Sequence, residues 1–154
     1  MKENLYIRKY KNSDLESAIN VYKHLCEFYK ITIHDVEEIK KFFSVRSYFE
    51  QYYTPCAFDS TTQKVVGLAF TEVVTEETQQ VSGYIKLIYV EEEYRHQGLM
   101  TALINNAIEY FKKIPVDQVR IYLHNENLPY LSYYSDRLGF SPIITIVEKS
   151  LTQK

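Results

Sequence analysis

Arg95-His96-Gln97-Gly98-Leu99-Met100 is the stretch of this 154-residue chain whose residue types and spacing are best suited to chemistry. A helix that opens at such a turn presents its first backbone N–H groups without intrahelical acceptors. The amides point outward, the macrodipole adds partial positive charge, and Gly98 lets a ligand come close to the backbone. The turn therefore reads as an anion site, and a pyrophosphate fits it.

Two elements must hold that turn in place. Before it, Tyr84 to Val90 is an almost unbroken run of β-branched, aromatic and leucine residues, as expected of a strand buried on both faces. After it, Met100, Leu103, Ile104, Ala107, Ile108 and Phe111 recur at the spacing of one helical stripe. Thr101, Asn105, Asn106, Glu109 and Lys112 fill the opposite face.

Composition narrows the classes of function. The chain is long enough for one domain over residues 1–154 with a core of its own, and 45% hydrophobic with 25% charged residues is neither a disordered nor a fibrous balance. Its fifteen tyrosines bring apolar area with a polar tip, suited to half-buried packing. Net charge is −2 and no basic run exceeds a pair such as Lys40-Lys41 or Lys112-Lys113, so no nucleic-acid partner is expected. Cys26 and Cys56 form no CxxC, and His24, His34, His96 and His124 lack ligand spacing, so no metal is expected. The N-terminus lacks the apolar core of a signal peptide and no run is long enough to span a membrane. A reduced, cytoplasmic protein without a membrane partner is the expectation, and a homodimer is kept open.

Val90, followed five residues later by Arg95-His96-Gln97-Gly98-Leu99, resembles the acyl-CoA-binding motif of the GCN5-related N-acetyltransferases, Gln/Arg-x-x-Gly-x-Gly/Ala after a strand ending in an aliphatic residue. Met100 departs from that pattern by replacing the final small residue. Downstream, Asn127, then Tyr134, then Leu138-Gly139-Phe140 are similar to the family's Asn…Tyr…Gly-Phe block, with one residue more than usual between Tyr and Gly. The two motifs span residues 84 to 140, over a third of the chain, in the expected order.

The remaining elements agree with that resemblance. Leu5 to Tyr10 alternates as a strand, and Ser13-Asp14-Leu15-Glu16 reads as a capping box opening a helix with the stripe Leu15, Ala18, Ile19, Tyr22, Cys26 and Tyr29. His24 falls off that stripe and is expected to be solvated. Asp35 opens a second helix, stopped by Pro55. Cys56 to Asp59 and Val65 to Val74 form a hairpin, and Thr75 to Gln80 is a polar turn into the central strand. Gln118 to Leu123 completes a βαβ unit. Asn127 caps a short helix with Pro129 in its first turn and Gly139 past its end, and Ile143 to Val147 is a last strand. The order β-α-α-β-β-β-α-β-α-β predicts an α+β domain: a mixed, mostly antiparallel sheet with a central βαβ crossover and helices on both faces. The resemblance implies the acyl-CoA N-acyltransferase fold.

It also implies acetyl-CoA as co-substrate, lying where the fourth and fifth strands splay apart. The backbone of Ile88, Tyr89 and Val90 would bond its pantetheine arm. The amides of His96, Gln97, Gly98, Leu99, Met100 and Thr101 would hold the pyrophosphate, Arg95 would add a charge, and Asn127 would reach the pantetheine region. Moving an acetyl group to a primary amine of a small molecule or peptide needs an unprotonated amine, a donor for the carbonyl oxygen and a proton for the thiolate. Tyr134 resembles the tyrosine that supplies that proton. No base is named by a motif; Tyr122 stands where one branch of the family carries a carboxylate, and Glu72 is the nearest carboxylate expected within a strand. Around the acceptor mouth Glu37, Glu38, Glu50, Glu72, Glu76 and Glu77 outnumber Lys40, Lys41, Arg46 and Lys64, so a cationic acceptor is expected. A non-catalytic acyl-CoA-binding module, in which Tyr134 is dispensable, is the alternative.

Overall fold

The computed structural model describes residues 1–33 and 35–144. The chain forms two compact units, one over residues 1–122 and one from residue 123 onward. In the first, β1 (Leu5–Lys9), α1 (Leu15–Phe28), α2 (Val36–Tyr48), β2 (Pro55–Asp59), β3 (Lys64–Thr75), β4 (Val81–Val90), α3 (Leu99–Phe111) and β5 (Gln118–Ile121) follow one another. Among these described residues no helix is long and apolar enough to cross a membrane.

The five strands lie in the order β1-β2-β3-β4-β5. All pairs are antiparallel except β4 with β5, joined in parallel through the α3 crossover. Alternate strand residues build two cores. Cys56, Phe58, Leu68, Phe70 and Tyr89 are buried with Ile19, Leu25 and Tyr29 of the α1 region and Ile39 and Phe43 of α2. Ala57 and Ala69 alternate with them in the strands and are buried too, as are Ile85 of β4 and Leu103, Ile104, Ala107 and Phe111 of α3. The helices therefore cover both faces, and α3 sits close to β4. A Cβ at Gly83 would lie 2.8 Å from the Phe111 ring, so only glycine permits that approach.

Local chemistry explains where elements begin and end, and corrects some expectations. α1 has no Ser13 cap, because the chain enters it through a 3-10 turn, Asn12–Asp14. The Asp14 carboxylate instead accepts from the Lys11 N–H at 2.8 Å and, in a fork, from both terminal nitrogens of Arg8 on β1. A carboxylate facing a guanidinium makes a stronger charge-assisted contact than a serine hydroxyl can. Asp35 does cap α2, accepting from the Glu37 and Glu38 amides. That helix stops at Tyr48, where Phe49 turns extended, well before Pro55. Pro55 opens β2, a position where its missing N–H costs no ladder bond.

The register of β4 positions the site. A bulge between Phe70 and Thr71 of β3 leaves Lys86 as the extra residue on β4, with Phe70 opposite Leu87 and Thr71 opposite Ile85. Pairing with β5 runs only from Ser82 opposite Gln118 to Ile85 opposite Ile121. The Tyr122 N–H adds one bond to the Ile85 carbonyl at 3.0 Å, and β5 has ended by Ile121 rather than at Leu123. Beyond Ile85, β4 continues to Val90 with no strand beside it on that edge among the described residues.

In the second unit a 3-10 segment, Asn125–Tyr130, leads into α4 (Leu131–Leu138). Asn127 lies inside the 3-10 segment and is not a cap: His124 and Tyr130 hold the cap positions, because Pro129 tightens the entry into a 3-10 turn. Gly139 closes α4 in the left-handed conformation, as its position predicts. Of the expected last strand, residues 143 and 144 are in no strand, and 145–147 lie outside the described residues.

Candidate functional site

Successive residues of a strand turn their N–H and C=O groups alternately to one neighbour and the other. The Glu91 N–H donates to the Val66 carbonyl of β3 at 2.9 Å. Tyr89 shares that direction, so Ile88 and Val90 turn their N–H and C=O groups to the opposite side, the edge that β5 leaves uncovered. Two side chains on that edge agree: the Tyr29 hydroxyl donates to the Ile88 carbonyl at 2.7 Å, and Arg95 Nε donates to the Val90 carbonyl at 2.9 Å. Of the three residues expected to present backbone to a pantetheine arm, Ile88 and Val90 thus face the open edge, while Tyr89 has its backbone turned to β3 and its ring buried in the α1 side core.

Two left-handed residues shape the turn that follows. His96 and Gly98 both have positive φ, 59° and 79°, and α3 begins directly at Leu99. Left-handed residues alternating with ordinary ones bring successive N–H groups to a common concave side. His96 holds this conformation despite its Cβ, a cost carried at few positions outside turns and sites. Apart from its chain neighbours, no atom of the described residues lies within 4 Å of where a Gly98 Cβ would stand, so the space over the turn is open. Leu99 is 1% exposed and anchors the helix start, a place in the core that the expected stripe gave to the half-buried Met100. Gln97 bonds the Glu93 carbonyl through Nε2, while its buried Oε1 has no partner among the described residues.

Arg95 does more than add charge. Its guanidinium lies 5.4 Å from the ring centres of both Phe28 and Tyr89 while Nε holds Val90. One turn earlier on α1, His24 meets Glu91 at 2.7 Å, so that histidine is paired and not simply solvated.

Glu72 and Glu76 have partners outside the cations counted from sequence. Glu72, on β3 opposite Tyr84, is ion-paired with Lys86, the bulged residue of β4. Glu76 accepts from Tyr84 at 2.5 Å and from Arg120 at 3.0 Å; the Tyr84 bond and the Arg120 charge hold its carboxyl below the usual range. Glu37 pairs with Lys40. Arg46, one of the four cations counted around the mouth, is buried among Phe42, Tyr52 and Phe70, and burial lowers its pKa to about 10. Lys86, Arg120 and Tyr29 carried no motif. The one signal for Tyr29 was a polar tip ending an apolar stripe.

Within the second unit, Tyr134 is 1% exposed and its ring meets those of Tyr133 and Phe140 at 6.1 and 6.5 Å. The Phe140 N–H donates to the Tyr134 carbonyl at 3.0 Å, so the Gly-Phe step closes back on the tyrosine. Asn127 is half-buried, its N–H donating to the His124 carbonyl at 2.8 Å.

Known proteins share this fold. An acetyltransferase from Trypanosoma brucei is similar at 23% identity and TM-score 0.76, covering 96% of this chain and 99% of its own. A glucosamine-6-phosphate N-acetyltransferase from Arabidopsis thaliana matches at 18% identity and TM-score 0.77, over 97% and 100%. An aminoglycoside N-acetyltransferase solved with CoA matches at 14% identity and TM-score 0.81, over 97% and 96%. These likenesses establish the acyl-CoA N-acyltransferase fold. No curated protein sequence matches this one significantly. The model of the acetyltransferase (GNAT) family, however, matches residues 14–140, from the entry of α1 through the turn at Gly98 to Phe140, and on that match the chain belongs to this family.

Proposed function

We propose that this chain is a single-domain, acetyl-CoA-dependent N-acetyltransferase that acylates a primary amine. The observation that carries the reading is the uncovered β4 edge, with Ile88 and Val90 turned outward, leading directly into the open turn at His96–Gly98. The residues fit the co-substrate: two edge amides suit the acceptors of a pantetheine arm, and the start of α3 from His96 to Thr101 suits a pyrophosphate. Bound acetyl-CoA supplies an activated acyl carbon. The Ile88 N–H is then the donor available to the acyl oxygen, and Tyr134 is assigned the proton for the departing sulfur on its motif position. Burial of both cysteines as free thiols supports a reducing, cytoplasmic setting.

The acceptor is proposed to be a cationic amine. A groove of about 380 Å³ lined by Tyr22, Glu38, Ile39 and Phe42 lies between α1 and α2, offering aromatic faces to a cation. A non-catalytic acyl-CoA-binding module is the second reading, favoured by one observation: Glu72, the carboxylate proposed as base, is ion-paired with Lys86.

Calorimetry with acetyl-CoA tests the cofactor site. Binding in the micromolar range is expected, and Gly98→Val should weaken it at least tenfold. Valine there strains a φ of +79° and places its Cβ in the open space over the backbone. Absence of heat, or equal affinity in the variant, would remove this turn from the site; binding with no turnover over a broad amine panel would establish the second reading.

A further inference from the structure

We propose that Tyr29 is a positioning residue for acyl transfer, acting through the peptide groups of Ile88. This rests on the reading of the β4 edge as the acyl-CoA seat. The hydroxyl of Tyr29, a residue 8% exposed at the end of α1, donates to the Ile88 carbonyl at 2.7 Å. Ile88 is the first residue after the Lys86 bulge to turn toward the edge, just past the last bond to β5. A strand that leaves its sheet on one side loses the ladder bonds that fix its backbone dihedrals there. Tyr29 replaces the missing neighbour at this residue. By holding the C=O it fixes the extended conformation of Ile88, and so the direction of the N–H that leaves the same residue on the same edge. A donor aimed in advance at a developing oxyanion contributes to rate, and one that must be reoriented contributes less.

The anchorage is built from the end of α1 and from Arg95. Tyr29 stands edge-on to Phe28 with ring centres 4.9 Å apart, Phe28 stacks over Arg95, and Arg95 holds the Val90 carbonyl. His24, one turn earlier, holds Glu91. Of these contacts, the Tyr29 bond alone falls on the residue whose N–H is assigned to the acyl oxygen.

Tyr29→Phe keeps the ring and its packing and deletes the hydroxyl. In the full chain, kcat is expected to fall about tenfold, with the acetyl-CoA Kd changed less than about threefold and the pH–rate profile unmoved, because Tyr29 is not itself a proton donor. Amide hydrogen exchange gives a readout independent of turnover: acetyl-CoA should protect both Ile88 and Val90 amides in the unsubstituted chain, and in the variant the protection should be lost at Ile88 and kept at Val90. A variant that melts earlier but keeps full kcat and both protections would reduce Tyr29 to a packing residue and overturn the proposal. A shifted pH profile would overturn it in favour of direct proton transfer. If the unsubstituted chain takes up no acetyl-CoA, the cofactor reading itself fails first, and calorimetry distinguishes that case.

Discussion

Tyr133 and Tyr134 are neighbours in α4 with different surroundings: Tyr134 is buried, Tyr133 half-buried. The motif assigns the proton to Tyr134, and Tyr134→Phe removes only the phenolic O–H. Its expected effect is a fall in turnover of roughly ten- to a thousandfold with cofactor affinity nearly unchanged. Tyr133→Phe should do much less. Steady-state kinetics on the two variants decides, and if Tyr133→Phe is the crippled one, the extra residue before Gly139 has shifted the register. At this scale the glycine was legible from sequence because its role needs only a backbone conformation. Arg95 was half legible: its charge was visible, but the Val90 carbonyl and the two rings that hold it come from β4 and α1.

The elements are held by side chains that reach between them. Asp14 joins the entry of α1 to Arg8 on β1, and although its burial opposes ionisation, the Arg8 bond and the Lys11 amide leave its carboxyl below the ordinary carboxylate range. A carboxyl with a depressed folded-state pKa adds stability above its unfolded pKa, near about 3.9, and loses that contribution as pH falls through the folded value. Asp14→Asn should therefore cost about 1.5–3 kcal/mol at pH 7, the range for hydrogen bonds to charged groups. The difference from the unsubstituted chain should shrink as pH drops below about 4. Urea denaturation at pH 7 and pH 3 measures both, and a difference independent of pH would mean that the ionised carboxylate is not what holds α1 to β1.

Over the whole molecule the balance of charge, −2, is the sum of many local cancellations. Of the glutamates expected to frame the acceptor mouth, Glu37 is ion-paired with Lys40, Glu72 with Lys86 and Glu76 with Arg120. Exposed Glu50 and Glu77 carry no ion pair among the described residues, and Glu38 lines the groove between α1 and α2. Steering of a cationic amine is accordingly expected to be modest. Its kcat/KM should fall several-fold as ionic strength shortens the Debye length from about 10 to 3 Å, and rise with pH as the amine deprotonates. A neutral or acidic amine as best acceptor, with salt-independent rates, would remove the cationic preference and leave acyl transfer intact.

What the sequence determined by itself is whatever depends on neighbours along the chain. The β4 run, the turn at Gly98, the α3 stripe, the Asp35 cap and the Gly139 stop are all set by local propensity and periodicity, and the family motifs ride on them. Tertiary structure alone decided how long β4 and β5 stay paired, and therefore that Ile88 and Val90 lie on an open edge. It also decided that Glu72 meets Lys86 and that Tyr29 reaches a carbonyl 59 residues away. Such contacts join residues with no periodic relation to one another, and they depend on sheet register and a one-residue bulge, which local propensity does not specify.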